Sequence, residues 1–402
     1  GKNYNEIIWK RRRNEKKFDT NKVFVTGKLI QMQFSIKRDV LLKSLNFVQG
    51  VVEKKNTLPI LSNVLLNLKD KKLEIVATDL DIVFNDEITE LNIVEEGSTT
   101  TSANVLFDIL RKIPQNAEIN FVKKNENKLS LKTENSDFNL LCLPTTNFPT
   151  FNDNFENEKI ELDKTRFLSL LNKTKISISN DDTRHYLNGV YLHATESNKN
   201  TFLTGVATDS HRLSSSSITV ENINNFTSII IPRKTVFQLC SLLDNTNEKI
   251  IIQTSGNKIK FSLGKMSLIS KVIDGKFPDY EKVVPKDNSK TLIVSSSDFI
   301  SSVERVASVS IDRKEGVKLE LSRDKLKLSV NSTNSGDGNE IVSAKYDGED
   351  LSIGFNSKYL IDIASEIEDK NLTFSLKNST SPVLVLDNAD KNSFYVIMPM
   401  KL

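Results

Sequence analysis

Several residue types are scarce in this chain of 402 residues, and each scarcity excludes a class of protein. The two cysteines, Cys142 and Cys240, both lie within apolar runs. A disulfide framework needs more cysteines than this, so buried thiols in a reducing compartment are the simpler interpretation. No apolar run approaches the roughly 20 residues of a membrane span, and we therefore expect no contact with a membrane.

Sequence patterns for metals, nucleotides and catalysis are also missing. The three histidines, His185, His193 and His211, do not form His-Glu-x-x-His, and the cysteines lack a metal-binding spacing. Neither Gly-Lys pair has the earlier glycine of a phosphate-binding loop. Gly336-Asp-Gly338 is interpreted as a turn. We expect no metal, no cofactor and no catalytic residue.

One polar stretch, Thr208-Asp-Ser-His-Arg-Leu213, leaves an enzyme open as an alternative. A Ser-His nucleophile there would make substitution of Ser210 or His211 abolish turnover. Adjacent residues rarely point at one another, however, and no third group that would orient the histidine is indicated. Binding or strand-end structure is the preferred interpretation.

The net charge of +3 is unevenly divided along the chain. Residues 1–31 hold nine of the 55 Lys and Arg residues and three of the 52 Asp and Glu residues, which leaves −3 for the remainder. The basic segment could be a nucleic-acid arm. We favour a vector-derived or upstream-translated extension, because a folded pattern begins at Met32.

A sixfold repeat is the most informative feature of the sequence. Apolar residues recur at helical spacing in six segments whose starts lie roughly 60 to 70 residues apart. The segments are Asp39–Leu45, Asn104–Leu110, Thr165–Leu171, Lys234–Leu243, Asp298–Val303 and Lys358–Ala364. Asp163 and Asn356 are predicted N-caps, and Pro232 suits a first helical turn.

Between these helices the apolar period changes to two, as in Lys258–Leu263 and Val317–Leu321. The Phe-Pro steps at Phe148 and Phe277 end the second and fourth units in the same way. The fold class predicted is α+β, with three similar domains that each pack two helices on antiparallel sheets. The predicted bounds are 1–31 for the extension and 32–155, 156–286 and 287–402 for the domains.

Six windows around these helices, residues 36–48, 103–113, 163–175, 233–243, 298–308 and 357–368, together carry a net charge of +5, although residues 32–402 carry −3. A rotationally repeated set of units can close on itself. A basic helical layer inside an acidic exterior would suit a channel for DNA, since phosphate attraction needs no base readout and permits sliding. The last two of these windows are acidic, so the charge pattern alone does not establish a DNA channel.

Several motifs resemble the bacterial sliding-clamp family, the beta subunits of DNA polymerase III. The match runs in order from Met32 to Leu402, and the terminal Met-Pro-Met-Lys-Leu is close to diagnostic. The other motifs are Thr57–Leu61, Ala77–Leu80, Tyr186–Gly189, Ala207–Leu213, Ile231–Lys234, Asp274–Tyr280 and Gly354–Asn356.

The resemblance implies a non-catalytic clamp that closes as a head-to-tail homodimer around double-stranded DNA, without reading its sequence. It implies a bacterial, cytoplasmic protein at replication forks. Its partners would be the replicative polymerase, an ATP-driven clamp loader, repair and translesion polymerases, ligase and mismatch-repair proteins. An open, non-encircling DNA-binding scaffold is the alternative.

The resemblance also implies a groove between the second and third domains that binds short hydrophobic peptides. Adaptable Met side chains and apolar walls suit several partners. The matching residues are Arg184, Tyr186, Leu187, Thr208, Ser210, His211, Arg212, Leu213, Pro278, Val283, Asn356, Tyr359, Val396, Met398, Pro399, Met400, Lys401 and Leu402.

Further positions follow from the resemblance. DNA-binding residues would be Lys55, Arg111, Arg233, Lys234 and Lys276, and the dimer seam would join Phe138 and Leu140 to Val309. Phe138-Asn-Leu140 alternates as an edge strand would. Three positions depart from the family: Ser210 replaces a common Gly, Lys401 a frequent Arg, and Asp181 a neutral polar residue that contacts DNA.

Overall fold

The computed structural model describes residues 24–25 and 28–402, except residues 55, 56, 156, 157, 222, 224 and 314. The chain divides into two compact units, Gly1–Asn152 and Asp153–Leu402, which we call unit 1 and unit 2 and describe separately. The extension predicted over residues 1–31 lies almost entirely outside the described residues, so it stays a prediction.

Each of the six predicted helical segments lies in an α-helix. The helices pack in three pairs, α1 with α2 in unit 1 and α3 with α4 and α5 with α6 in unit 2. Their bounds are α1 Arg38–Val51, α2 Ala103–Lys112, α3 Lys164–Lys175, α4 Arg233–Asp244, α5 Ser296–Ala307 and α6 Ser357–Ala364. Short 3-10 helices cover Pro59–Ser62, Thr145–Asn147, Asp182–Leu187 and Tyr280–Val283.

The remaining elements are short strands in the described part of the chain. Those of unit 1 are β1 Phe24–Val25, β2 Lys28–Leu29, β3 Met32–Lys37, β4 Asn63–Lys69, β5 Lys72–Thr78, β6 Ile82–Ile88, β7 Leu91–Glu95, β8 Gly97–Ser102, β9 Glu118–Asn125, β10 Lys128–Lys132 and β11 Asp137–Leu143. Those of unit 2 are β12 Ile160–Leu162, β13 Gly189–Ser197, β14 Asn200–Thr208, β15 Arg212–Thr219, β16 Ile229–Pro232, β17 Ile250–Ser255, β18 Lys258–Leu263, β19 Met266–Lys271, β20 Lys290–Ser295, β21 Val317–Ser322, β22 Lys325–Ser332, β23 Gly336–Tyr346, β24 Leu351–Phe355, β25 Asn371–Leu376, β26 Val383–Leu386 and β27 Ser393–Ile397.

Unit 1 arranges its strands in the order β6-β5-β4-β8-β11-β10-β9-β3-β7. In unit 2 one run of neighbours is β12-β17-β18-β19, and a second is β16-β13-β14-β15-β27-β26-β25-β20-β23-β22-β21-β24. The ladders are antiparallel, as in β14 with β15 and β15 with β27. The predicted α+β class, with helices packed on antiparallel sheets, is confirmed.

The burial pattern follows the two periods in the sequence. In β21 the residues alternate between buried and partly buried from Val317 onward, so one face of the strand meets the core. In α5 the buried Phe299, Val303 and Val306 recur at helical spacing. Each helix therefore buries one stripe on a sheet and leaves the opposite side free.

The predicted N-caps are present. The carboxylate of Asp163 accepts a hydrogen bond from the amide of Arg166, and the amide oxygen of Asn356 accepts from the amides of Lys358 and Tyr359. The prediction for Pro232 was wrong by one residue. Pro232 ends β16 and is itself the N-cap residue of α4, which begins at Arg233.

One other local prediction was wrong, and one predicted seam residue is buried within unit 1. Gly336-Asp-Gly338 is the first part of β23 and not a turn, because Gly336 already pairs with Ser332 of β22. Leu140 and Phe138 share a face of β11, but Leu140 is 5% exposed whereas the adjacent Leu141 is 75% exposed. Leu140 belongs to the core of unit 1, because Leu140 lies opposite the fully buried Leu129 of β10.

A buried ion pair network ties α3 to the end of unit 2. The ammonium of Lys173, whose side chain is 4% exposed, donates to Glu368 at 2.9 Å and to Asp390 at 2.5 Å. Burial alone would lower the pKa of Lys173, but the hydrogen bonds to Asp390 and Glu368 raise it. The charge is retained in the interior because two carboxylates compensate its desolvation.

Candidate functional site

A tight turn between β14 and β15 forms one edge of the predicted groove. Thr208 Oγ1 donates to the carbonyl of Arg212 at 2.7 Å and accepts from the amide of Ser210 at 3.2 Å. Asp209 Oδ1 accepts from the amides of His211 and Arg212, each at 2.9 Å. These bonds hold Ser210 at φ +74°, a left-handed conformation that favours glycine.

The same turn is present in unit 1 between β5 and β6. Thr78 Oγ1 donates to the carbonyl of Ile82 at 2.7 Å and accepts from the amide of Leu80 at 2.9 Å. Asp79 Oδ1 accepts from the amides of Asp81 and Ile82 at 2.9 and 2.8 Å. Leu80 has φ +81° and is 43% exposed. The repeat therefore extends to single hydrogen bonds.

Arg212 joins this turn to the last part of the chain. Its guanidinium donates to Asp209 at 3.3 Å and to Asp362 at 2.7 Å, and lies 4.3 Å from the ring centroid of Tyr359. The residue is 7% exposed, so both carboxylates face a nearly buried cation. The ring of His211 stacks on Tyr359 with centroids 6.3 Å apart. Arg212 and Tyr359 are thus held in fixed orientations beside the groove.

An apolar cluster forms the floor of the site. Its buried members come from separate strands and loops of unit 2, and partly buried aromatic residues pack against them. The buried members are Leu187, Val206, Leu213, Ile230, Phe277 and Val396, and Tyr186 and Tyr280 are among the partly buried ones. The structure therefore brings the predicted Tyr186, Leu187, Leu213 and Val396 together.

The C-terminal residues lie directly beside the turn between β14 and β15. Leu213 pairs with Val396 in the ladder between β15 and β27, and the amide of Met398 donates to the carbonyl of His211 at 2.9 Å. Beyond it the amide of Met400 donates to the carbonyl of Gly354 at 2.8 Å. Met398 is 39% exposed and Leu402 is 65% exposed, so apolar surface remains at this edge.

An open depression lies beside these last residues. Its volume is about 590 Å³, and Pro399, Met400, Lys401 and Leu402 line it. Gly354 has no room for a side chain, since a Cβ there would lie 2.4 Å from the Leu402 side chain. The tail is therefore laid closely against β24 although few hydrogen bonds fix it.

The rim residue Arg184 is fixed by two side chains. Its Nη1 donates to Ser210 Oγ at 2.6 Å and its Nε to Asp181 Oδ2 at 3.2 Å. Hydrogen bonds from Thr183 and the nearby Arg184 lower the pKa of Asp181. Two departures from the family thus act together here, because Ser210 and Asp181 hold the same guanidinium.

These contacts also answer the enzyme alternative. The hydroxyl of Ser210 accepts from Arg184, and the ring of His211 stacks on Tyr359. The described residues pair Ser210 with neither His211 nor any other base. The Ser-His nucleophile considered from the sequence is not formed.

An aromatic stack lies under the floor of the site. The ring of Tyr191 stacks on His193 at 4.3 Å and on Phe277 at 4.8 Å between centroids. His193 Nε2 lies 2.9 Å from the hydroxyl of Tyr280. Burial lowers the pKa of His193 to about 4 and raises that of Tyr280 to about 12. The stack is therefore uncharged at neutral pH.

His193 predicts a loss of stability in mild acid. Its pKa is about 4 in the folded chain and 6.5 in the unfolded one, so the unfolded state takes up the proton first as pH falls. Stability is complete above pH 6.5 and declines toward pH 4, with a loss of about 2 kcal/mol between pH 7 and pH 5. Urea unfolding at both pH values measures it.

The control for this prediction is a pair of variants. His193→Gln removes the titrating group and should reduce the pH difference in unfolding free energy by about 2 kcal/mol. His211→Gln, at an exposed position, should leave the difference as in the unmodified chain. An unchanged difference in the His193 variant would assign the acid sensitivity to other groups.

Two predicted groove residues lie apart from these contacts. Pro278 is exposed, and Val283, in the 3-10 helix Tyr280–Val283, is 53% exposed. Their neighbours Phe277 and Tyr280 belong to the apolar cluster instead. Val283 and Pro278 are thus at the edge of the site and stay predictions.

The predicted DNA-binding residues are distributed over both units. Arg111 on α2 is exposed and pairs with Asp108 at 3.1 Å. Arg233 and Lys234 begin α4, and Lys276 is exposed in the loop before Phe277. Lys55 lies outside the described residues. The structure gives no ligand for these side chains, so their role stays a prediction.

The predicted seam residues differ in exposure. Phe138 is 37% exposed and lines an apolar depression of about 430 Å³ with Val105 and Ile113. Val309 is partly buried beside β23, where a Cβ on Gly338 would lie 3.0 Å from it. Leu140 is buried in unit 1, as stated above, so it supports the strand from inside.

The sequence did not identify several residues of the site. Asp209 and Asp362 hold Arg212, and Phe277 and Tyr280 supply the aromatic floor. Phe277-Pro-Asp-Tyr280 is a motif of the resemblance, although only its proline was assigned to the groove. Asp362 gives no such signal, because its partner is 150 residues away.

Two classes of feature are absent from the described residues. No group of His, Cys, Asp or Glu side chains there could hold a metal ion. None of the described helices is long and apolar enough to cross a membrane. Cys142 and Cys240 are buried free thiols, as predicted.

Three family profiles match consecutive parts of the chain. The N-terminal domain of the DNA polymerase III beta subunit matches residues 32–152, the central domain 161–279 and the C-terminal domain 281–401. The beta sliding clamp of Caulobacter vibrioides is 37% identical over 374 residues, covering 92% of this chain and 100% of that protein.

Solved structures give the same result. A crystal structure of a sliding clamp from Bartonella birtlesii bound to griselimycin is 38% identical with a TM-score of 0.88, covering 92% of this chain and 100% of the other. The beta subunit from Pseudomonas aeruginosa is 33% identical with a TM-score of 0.85 and the same coverage. The resemblance stated from the motifs is confirmed.

Proposed function

From the premise that the chain belongs to the DNA polymerase III beta-subunit family, the bacterial beta sliding clamps, we propose how it performs that role. It is a non-catalytic processivity factor. Two copies close head to tail into a ring around duplex DNA, and the groove in unit 2 tethers other proteins to it. The observation that carries the ring is a strand junction present inside the chain.

The antiparallel pairing of β15 with β27 inside the chain serves as a template for the contact between two copies. Each is the last strand of a helix-and-strands repeat, and they pair antiparallel from Arg212 with Ile397 to Ser216 with Ser393. β11 and β23 hold the same place in their repeats. Among the described strands, neither has a partner on its outer edge over residues 137–141 and 336–343. Such edges pair with other chains.

The junction also supports a register for the seam. Ser214 and Tyr395 lie opposite each other in the ladder between β15 and β27. On its other side, each is paired with the last buried residue of the preceding strand, which is β14 for Ser214 and β26 for Tyr395. By the same rule the matching residues are Gly336, opposite Ser332, and Phe138, opposite Leu131. Pairing Gly336 of one copy with Phe138 of the other places Asp337 opposite Asp137.

This register places two carboxylates together at the seam. Like charges directly opposite each other on paired strands are destabilising. Lys132, 3.7 Å from Asp137 within unit 1, offsets part of the repulsion. Added salt should therefore tighten the dimer until screening is complete, in contrast to a seam held by ion pairs.

The DNA is proposed to pass along the helical side of the domains. α3 carries Lys164, Arg166 and Lys175 outside its buried face, without an acidic residue between its bounds. Arg233 and Lys234 lie at the start of its neighbour α4. Weak, sequence-independent phosphate contacts suit a ring that must slide. Lys55, Arg111 and Lys276 are proposed to add to them.

The groove is proposed to take linear hydrophobic peptides. Its floor is apolar, the chain after β27 is an adaptable tail with Met398 and Met400, and Arg184 and Arg212 supply oriented donors. We assign to it the replicative polymerase, the clamp loader, repair and translesion polymerases, ligase and mismatch-repair proteins. The domain bounds 32–155, 156–286 and 287–402 and a cytoplasmic location belong to the same proposal.

Retention on circular DNA tests the encirclement. The protein is loaded onto a nicked circle with a cognate loader and ATP, and bound protein is counted before and after a single cut. Loss of most of the protein on linearisation is expected, because a ring held by topology slides off an end. A circle blocked at both sides of the cut by bulky proteins is the control and should retain it.

Unchanged retention on the cut circle would overturn encirclement and favour the open scaffold. Such a scaffold is held by direct contacts, so it would also bind linear and circular DNA equally, with a steep dependence on salt.

A further inference from the structure

The exposed surface of α4 contains an aromatic residue between two cations. Phe237 is 41% exposed, whereas its neighbours Val236 and Gln238 are buried. The guanidinium of Arg233 lies 4.7 Å from its ring centroid, and the ammonium of Lys175 lies 5.3 Å from it. Arg233 belongs to the first turn of α4 and Lys175 to the end of α3, so the ring brings together cations from two helices.

The same arrangement recurs at the equivalent place in unit 1. Phe107 is the fifth residue of α2, as Phe237 is the fifth residue of α4. The guanidinium of Arg111 lies 5.7 Å from the Phe107 ring. Arg111 is also paired with Asp108 at 3.1 Å, which weakens its availability to another anion. The recurrence indicates that the ring serves the cation beside it.

Among the residues that the structure describes, neither cation forms an ion pair with a carboxylate as Arg111 does with Asp108. The ammonium of Lys175 donates to the neutral amide oxygen of Asn172 at 2.8 Å. Burial raises the pKa of the Glu366 carboxyl, and the nearby charges of Lys175 and Lys173 oppose that shift. The two cations therefore retain most of their attraction for a further anion.

We propose that Phe237 is a positioning residue that holds Lys175 and Arg233 as a paired contact for the phosphodiester backbone of duplex DNA. The inference rests on the proposed function, because it needs DNA along the helical side. A cation over an aromatic face is favoured at exposed sites, so the ring keeps both side chains extended above the surface. Phe107 and Arg111 form a weaker second example.

The test is equilibrium binding of a linear duplex as a function of salt, measured by fluorescence anisotropy on the full chain. Phe237→Leu keeps an apolar side chain but removes the ring, and should weaken binding about threefold at low salt. Phe237→Tyr keeps the ring and should bind as the unmodified chain does. Lys175→Ala with Arg233→Ala removes both cations and should lower the salt slope by about 2.

Combining the changes separates positioning from simple contact. In the background without both cations, Phe237→Leu should have no further effect, because the ring then has nothing to position. An equal loss in both backgrounds would overturn the proposal, as would a leucine variant that binds with unchanged affinity and slope. Retention on a nicked circle is measured separately, on the unmodified chain. Retention that does not depend on linearisation would contradict encirclement of DNA but would leave the proposed phosphate contact of Lys175 and Arg233 unaffected.

Discussion

The double variant Asp137→Cys, Asp337→Cys is expected to close into a covalent dimer under mild oxidation, with most of the protein cross-linked at both seams. The register deduced from β15 and β27 places these residues directly opposite each other. Opposed residues on paired strands have Cβ atoms within the range that a disulfide spans. The change also removes the facing carboxylates. Non-reducing SDS electrophoresis measures the product, and the buried Cys142 and Cys240 should not take part.

The functional consequence of this closure is large. Protein loaded onto a nicked circle and then oxidised should remain on the DNA in SDS and in high salt, where non-covalent rings are lost within minutes. Cutting the circle should release all of it. A reducing agent should restore loss from the intact circle. Survival on cut DNA in SDS would show attachment to the DNA itself and contradict encirclement.

A matched control tests the register. Asp137→Cys with Asn339→Cys moves one sulfur two residues along β23 on the same face, which lengthens the distance to that of a diagonal neighbour. Cross-linking should then be slow and incomplete. Faster closure of this shifted pair would show that the seam does not copy the junction between β15 and β27.

Deletion of Met400, Lys401 and Leu402 is expected to weaken peptide binding at the groove about 100-fold without unfolding the chain. The three residues line the open depression, and a single bridge from Met400 to Gly354 joins them to the sheet. Loss of the Met400 and Leu402 side chains removes apolar contacts of about 1.5 kcal/mol each. Calorimetric titration with a peptide of the replicative polymerase measures the affinity, and thermal unfolding measures the stability.

The control is Val94→Ala, which shortens a side chain of similar exposure on β7 in unit 1. It should leave both peptide affinity and polymerase processivity unchanged. The tail deletion should abolish processive synthesis while the ring still forms. A deletion variant that binds the peptide normally would remove the tail from the site and leave the apolar cluster around Leu213 as the contact.

The fold could be predicted because its signals are local and repeated. Apolar spacing located the six α-helices of the part of the chain that the structure describes, and the caps Asp163 and Asn356 follow from the chemistry of the first turn. Gly336-Asp-Gly338 was misjudged, since two glycines and an aspartate are typical of turns. The pairing of Gly336 with Ser332 of β22 outweighs that local preference.

The site was only partly predictable. The resemblance marked Arg212 and Tyr359, but the carboxylate of Asp362, which binds Arg212, lies 150 residues away in the chain. The seam shows the opposite case. Phe138 and Leu140 alternate with exposed residues and share one face of β11, yet only the structure shows that Leu140 is buried on that face whereas Phe138 is 37% exposed. Which residues on one face of a strand are buried depends on the neighbouring strands, and their spatial order cannot be read from the sequence.

The duplicated turn gives this molecule an internal reference for genetic experiments. Thr78 and Thr208 make the same pair of hydrogen bonds in two settings, and one of them borders the groove. A threonine-to-alanine change at either position should carry a similar folding penalty. The effect of the Thr78 variant measures the folding defect alone. Subtracting it from the effect of the Thr208 variant leaves the part due to partner binding at the groove, so folding defects and partner-binding defects can be separated within one gene.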